Sequence, residues 1–206
     1  MANANVAFGF KPVGKHGSSP STQGTSQYFI ASDASAIFQG SPVRAELTGG
    51  TIQIASASCN GVHLLGAFAG CEYVDATTGK LKFSNTWPGS GSANTDFDIK
   101  GFVYDDPNQR FIICSDGTNT SRATAKVDIF KTADLATGTS GSTTTGISSC
   151  AIDISTAEDT DTSNAVMILG ILEDVSNADH TAAGISYIVK INNHALNSSD
   201  VDATAS

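Results

Sequence analysis

Charge is scarce in this sequence. Of its 206 residues only 15% are Asp, Glu, Lys or Arg, and only 11 are basic. The formal charge is −9 and no window concentrates Lys and Arg, so nothing here resembles the basic footprint that phosphate binding requires. Nucleic acid is therefore not expected as a partner; the acidity reads as solubility and repulsion between copies. Long apolar runs are missing too. None approaches the ~18 residues of a membrane helix, and the first residues show no basic region followed by an apolar one. Neither a membrane span nor a secretory leader is expected.

Cysteine is scarce and unpatterned. Cys59, Cys71, Cys114 and Cys150 form no CxxC pair and sit among apolar or small neighbours, which favours buried free thiols over disulfides. The four histidines, His16, His63, His180 and His194, are isolated in sequence, so no zinc-ligand spacing exists. The segment 158–163 carries alternate carboxylates, but Asn164 stands where a calcium loop of this type has glycine, and Gly170 where it has glutamate. Gly89-Ser90-Gly91 begins like a phosphate loop and then lacks the lysine. No nucleophile elbow or HExxH occurs. No cofactor, metal or catalytic residue is assigned, and the chain is not expected to be an enzyme.

What the sequence does have is apolar residues at 40%, set among Ser, Thr, Gly, Asn and Asp. That profile gives short strands joined by many turns. The expected fold is all-β, an antiparallel barrel or sandwich with long loops and an extended N-terminal arm. Residues 1–27 form the arm, 28–196 the β domain and 197–206 a polar tail. The chain centres on residues 101–117. Apolar runs at Phe102-Val103-Tyr104 and Phe111-Ile112-Ile113-Cys114 flank Asp106-Pro107-Asn108, a type I turn signature, and predict a central hairpin.

Around that centre the pattern predicts a strand at Gln27–Ile30 and a hairpin at 43–55 turning through Gly49-Gly50. A long glycine-punctuated strand at 61–74 is expected to bulge or bend at Gly66 or Gly70, because a helix would lose about 1 kcal/mol at each interior glycine. Asp75–Gly79 turns into a return strand at Lys80–Phe83. A helical turn is placed within 123–135 and an exposed low-complexity loop at 137–146. Val166–Leu172 is read as a doubly buried strand. The last strand puts Ile185, Tyr187, Val189 and Ile191 on one face.

Two aromatic features bear on function. The arm carries Val6, Phe8, Phe10 and Val13, although exposed Phe in a free arm is a liability. It packs either across its own domain or on a neighbouring molecule. Trp87, the only tryptophan, sits in a Pro- and Gly-rich loop and is either folded back or an interface anchor.

The ordered pattern Gly9-Phe10-Lys11-Pro12-Val13-Gly14, Ile37-Phe38-Gln39-Gly40-Ser41-Pro42-Val43, Tyr104–Phe111, Ile168–Asp174 and Val189–His194 resembles small head-associated virion proteins of tailed bacteriophages, marine ones in particular. The resemblance implies a capsid decoration (cement) protein: a non-enzymatic β domain on the outer surface of the virion, bound to the major capsid protein and bridging capsomers. It implies self-association, with a trimer on threefold axes the expected form. On that reading the capsid-binding arm comprises Val6, Phe8, Phe10, Lys11, Pro12, Val13, Lys15 and His16, apolar anchors interleaved with positive charge, and Trp87 is a candidate interface anchor. The alternative is a virion carbohydrate- or host-binding module using Trp87, Tyr73 and Tyr104 for stacking.

Overall fold

A computed structural model describes residues 6–15, 24–56, 58–136, 138–158 and 161–197. The protein is mainly β, as expected, with two sheets and two cores.

The first sheet closes on itself. It contains β2 (Ser26–Ile30), β3 (Pro42–Glu46), β4 (Thr51–Ile54), β5 (Leu64–Val74), β6 (Leu81–Ser84) and β7 (Ile99–Tyr104) in the order β3-β4-β2-β7-β5-β6, and β3 also pairs with β5. Five strands thus form a ring from which β6 extends. An odd ring cannot be antiparallel throughout, and the parallel pair is β2–β4, held by only Phe29↔Thr51 and Ile30↔Ile52. Ile30, Val43, Ile52, Leu65, Phe68, Tyr73 and Val103 fill the interior.

The second sheet is open and antiparallel, in the order β1 (Lys11–Lys15), β8 (Gln109–Cys114), β11 (Ser186–Ile191), β10 (Val166–Ile171), β9 (Thr132–Ala133). Its inner face packs Phe111, Ile113, Ile168 and the row Ile185, Tyr187, Val189 and Ile191 into the other core, as the final strand's alternation predicted. A short helix, α1 (Arg122–Val127), is capped by Ser121, whose side chain accepts from the Thr124 N–H.

β5 is the wall between the cores. Leu65, Phe68, Cys71 and Tyr73 face the barrel, while Leu64 and Ala67 face the second core. A regular strand could not distribute these residues so, and β5 slips register twice. Leu65 is the extra residue against β3, and Ala69 the extra residue against β7. Glycine permits both. A Cβ on Gly66 would lie 2.1 Å from the Tyr104 carbonyl oxygen, and Gly70 has φ +153° with Ser84 O 2.8 Å from any added Cβ. The sequence had placed one bulge or bend, at Gly66 or Gly70; the strand has a shift beside each.

The central hairpin is corrected. Both strands exist and the turn is as read, with Gln109 N–H donating to Asp106 O at 2.9 Å and Asn108 N–H to Asp106 Oδ1 at 2.8 Å. The strands do not pair. β7 is bonded to β2 and β5, and β8 to β1 and β11, so neither has an edge left for the other. Residues 101–117 instead carry the chain from the barrel to the open sheet. Elsewhere the 43–55 and 64–84 hairpins form as predicted. β10 alternates buried and half-buried positions rather than burying both faces.

Candidate functional site

The N-terminal segment is built into the fold. Lys11–Lys15 pair with β8 from Lys11↔Ile112 to Lys15↔Gln109, with a bulge at Val13, so this stretch is the edge strand of the open sheet rather than a separate arm. Pro12 is tolerated because an edge strand needs fewer backbone donors. The Gln109 side chain donates to Gly14 O at 2.8 Å and pins the strand's far end. Upstream, Phe10 N–H donates to Gly40 O and Gly9 N–H to Cys150 O, which lays residues 6–10 across both layers.

This construction separates the candidate residues. Phe10 is buried and meets Phe111 edge to face at 5.3 Å, so it serves the chain's own core and is corrected as a docking residue. Lys15 is tied to Asp106 at 2.5 Å. Pro12 is half-buried, and His16 lies outside the described residues. Val6 is 69% exposed, Val13 37%, and Phe8 half-buried. Lys11 is exposed and forms no ion pair among the described residues. Phe8 and Lys11 line two hollows. One, of about 400 Å³, opens toward Gly40, Phe68 and Tyr104. The other, of about 230 Å³, lies over Ile112, Leu172 and Ser186 on the open sheet's outer face. The result is an apolar edge bearing a cation that has no ion-pair partner among the described residues, on an acidic molecule.

Trp87 is corrected as an interface anchor. It is fully buried, donates from Nε1 to Ala34 O at 3.1 Å, exchanges backbone hydrogen bonds with Ile37 and packs edge to face on Tyr73. Tyr73 is buried with it, which removes two of the three stacking residues of the carbohydrate reading. Tyr104, half-buried, remains at the rim of the first hollow.

Two neighbouring carboxylates are held in local pairs. Asp105 accepts from the Tyr28 hydroxyl at 2.5 Å, and burial followed by that carboxylate pushes Tyr28 up to about 12. Asp106 is held below the usual carboxylate range by Lys15 and the Asn108 N–H. His194 is buried and accepts at Nδ1 from the Leu196 N–H. Desolvation lowers its pKa to about 4, against the opposing pull of Asp105 and Asp106. All four thiols are free and buried, with burial raising Cys59 and Cys71 to about 12 and Cys150 well above its ordinary value. Among the described residues no group of three or more His, Cys, Asp or Glu is placed to hold a metal.

Sequence reasoning missed an exposed apolar face on the barrel's outside, where Phe29, Phe83, Phe97 and Leu81 stand in solvent. The signal was present in Lys80-Leu81-Lys82-Phe83, whose alternation puts the apolar pair on one side. Comparison with protein-family models, with curated proteins and with solved structures gives no match.

Proposed function

We propose that this chain is a structural virion protein of the capsid decoration (cement) kind, attached to the outside of a phage head through the edge formed by residues 6–15. The observation that carries the reading is this edge: Val6, Phe8 and Val13 present apolar surface beside Lys11, on a backbone fixed by β8 and by Gly40. A rigid adhesive edge suits a protein that binds many identical sites, because each contact forms without ordering a loose segment and repeated attachment supplies the strength. The lysine gives an acidic protein one point of attraction toward a carboxylate on the shell. Shape and adhesion are the activity; no substrate is turned over.

The test uses genome-free heads and the purified chain. Removing residues 2–16, which sequence alone suggests, would also remove β1 and Phe10 and would confound binding with folding. The variants Val6→Asp and Lys11→Glu leave the core intact. They are expected to cut co-sedimentation with heads at least tenfold while the unfolding midpoint stays put. Undiminished binding by both variants contradicts the assigned edge. No binding by the unaltered chain contradicts the function.

A further inference from the structure

We infer that a second copy of this chain covers the apolar outer face of the barrel, in a two-fold, face-to-face pair. The inference does not depend on the virion reading. Register alone defines the central row of that face. Phe83 on β6 stands opposite Glu72 on β5, Glu72 opposite Lys100 on β7, and Lys100 opposite Phe29 on β2. All four lie on the outside, because their strand neighbours Cys71, Tyr73, Ile99, Gly101 and Ile30 are buried. Phe83 is 68% and Phe29 47% exposed, and Phe97 and Leu81 extend the apolar surface at its margins. Four large apolar groups on adjoining elements make a patch of the kind that marks an interaction site.

The order Phe–Glu–Lys–Phe is complementary to itself. A two-fold axis in the interface, running along the strands between β5 and β7, sets Glu72 against Lys100 of the second copy and Lys100 against Glu72. The same rotation sets Phe83 against Phe29. Glu72 and Lys100 are 3.2 Å apart within one chain, so the opposite charges already sit side by side as the rotation needs. The next row repeats the match in shape. Gly70 is the register partner of Phe102, and a hollow lies over Gly70 between Phe83 and Phe102. The rotation puts each Phe102 over the Gly70 of the other copy, a knob into a hole that any Cβ would begin to fill.

Edge pairing is disfavoured by comparison. The outer edge of β6 is four residues long, is preceded by Lys80 and contains Lys82, and β1 carries Lys11, Pro12 and Lys15, the residues that blunt sheet edges. Two short rows on four strands form a footprint below the ~800 Å² per partner of a standard interface, so the pair is expected to be weak and reversible.

Sedimentation equilibrium across micromolar to millimolar concentration tests the arrangement. The unaltered chain is expected to dimerise. Glu72→Lys and Lys100→Glu, each alone, face like charge with like and should weaken the dimer at least tenfold. An equimolar mixture of the two should form a mixed dimer, since each charge then meets its opposite. That rescue cannot come from loss of the pair within one chain. Phe83→Asp, on a strand outside the closed ring, should give a folded monomer by circular dichroism. A monomer at millimolar concentration, a dimer indifferent to Glu72→Lys and Phe83→Asp, or a mixture no more associated than its components overturns the proposal.

Discussion

Asp105 and Asp106 are neighbours in the chain that grip opposite layers of the molecule. Asp105 accepts from Tyr28 on the barrel strand β2, and Asp106 binds Lys15 on the open-sheet strand β1, each at 2.5 Å. Two adjacent carboxylates therefore clasp the barrel to the open sheet at the point where the chain crosses between them. Asp106→Asn keeps the turn's shape but removes the carboxylate charge that faces Lys15, and is expected to cost about 1 kcal/mol in denaturant unfolding. Asp105→Asn should bring the Tyr28 pKa down from about 12 only part of the way, since burial is the larger cause. The difference between the ultraviolet titrations of the two proteins isolates Tyr28 from Tyr73, Tyr104 and Tyr187.

Trp87 makes a second prediction. Its ring meets Tyr73 at 5.4 Å and 88°, and its Nε1–H is satisfied by Ala34 O. Trp87→Ala leaves a large void and orphans that carbonyl, so a loss of about 3–5 kcal/mol is expected. Because the tryptophan is unique, its native fluorescence should be blue-shifted and should move to the red in a single unfolding transition. Emission already at the solvent-exposed wavelength in the native state would place the ring outside the barrel.

The bulges in β5 rest on glycine, and Gly66 is the stricter case. An added methyl would overlap the Tyr104 carbonyl, a backbone atom of β7 that cannot rotate away. Gly66→Ala should therefore cost about 3 kcal/mol or more, whereas Gly79→Ala, at an exposed turn with nothing within 4 Å, costs only the strain of its positive φ. Equal midpoints for the two variants in thermal unfolding would contradict the packing of β5 against β7.

Acid should loosen the chain through His194. Its folded pKa of about 4 lies below the unfolded value near 6.5, so the neutral form is the one the fold accepts. The stability that goes with neutrality is complete above pH 6.5 and drains away as the pH falls from 6.5 to 4, to a total of about 3 kcal/mol. Asp105 and Asp106 moderate the loss by attracting the imidazolium. His194→Gln removes this segment of the stability curve and leaves the steeper fall at lower pH, where carboxylates such as Asp106 protonate. Parallel curves for the two proteins between pH 6.5 and 4 would show that the imidazole is already solvated.

Local chemistry made much of the fold legible. The 43–55 hairpin, the turn at Asp75–Gly79, the one-sided row from Ile185 to Ile191 and the bulging glycines of β5 all follow from periodicity and turn residues. What the chain did not announce was partnership between distant strands. Nothing in the turn at Asp106 reveals that β7 and β8 are saturated on both edges by strands far away in sequence, and so the hairpin reading failed. The same limit governs the site. Phe8 and Phe10 look alike in sequence, yet Phe10 finds Phe111 in the core while Phe8 stays at the surface. Trp87 in its glycine-rich loop leaves two readings open, folded back or interface anchor, and the contacts with Ile37 and Ala34 decide for the first. The row from Phe83 to Phe29 is assembled by register alone from residues up to 71 positions apart, so only its β6 portion showed in the sequence.

We propose above all that this protein works by position and adhesion on the outside of a virion. Residue-resolution cryo-electron microscopy of purified particles from the proposed phage source is the most direct test. The predicted result is density for the barrel and open sheet repeated over the head, with Val6, Phe8, Lys11 and Val13 against the major capsid protein. Particles whose heads lack this density, or heads that carry the protein with residues 6–15 turned to solvent, would contradict it.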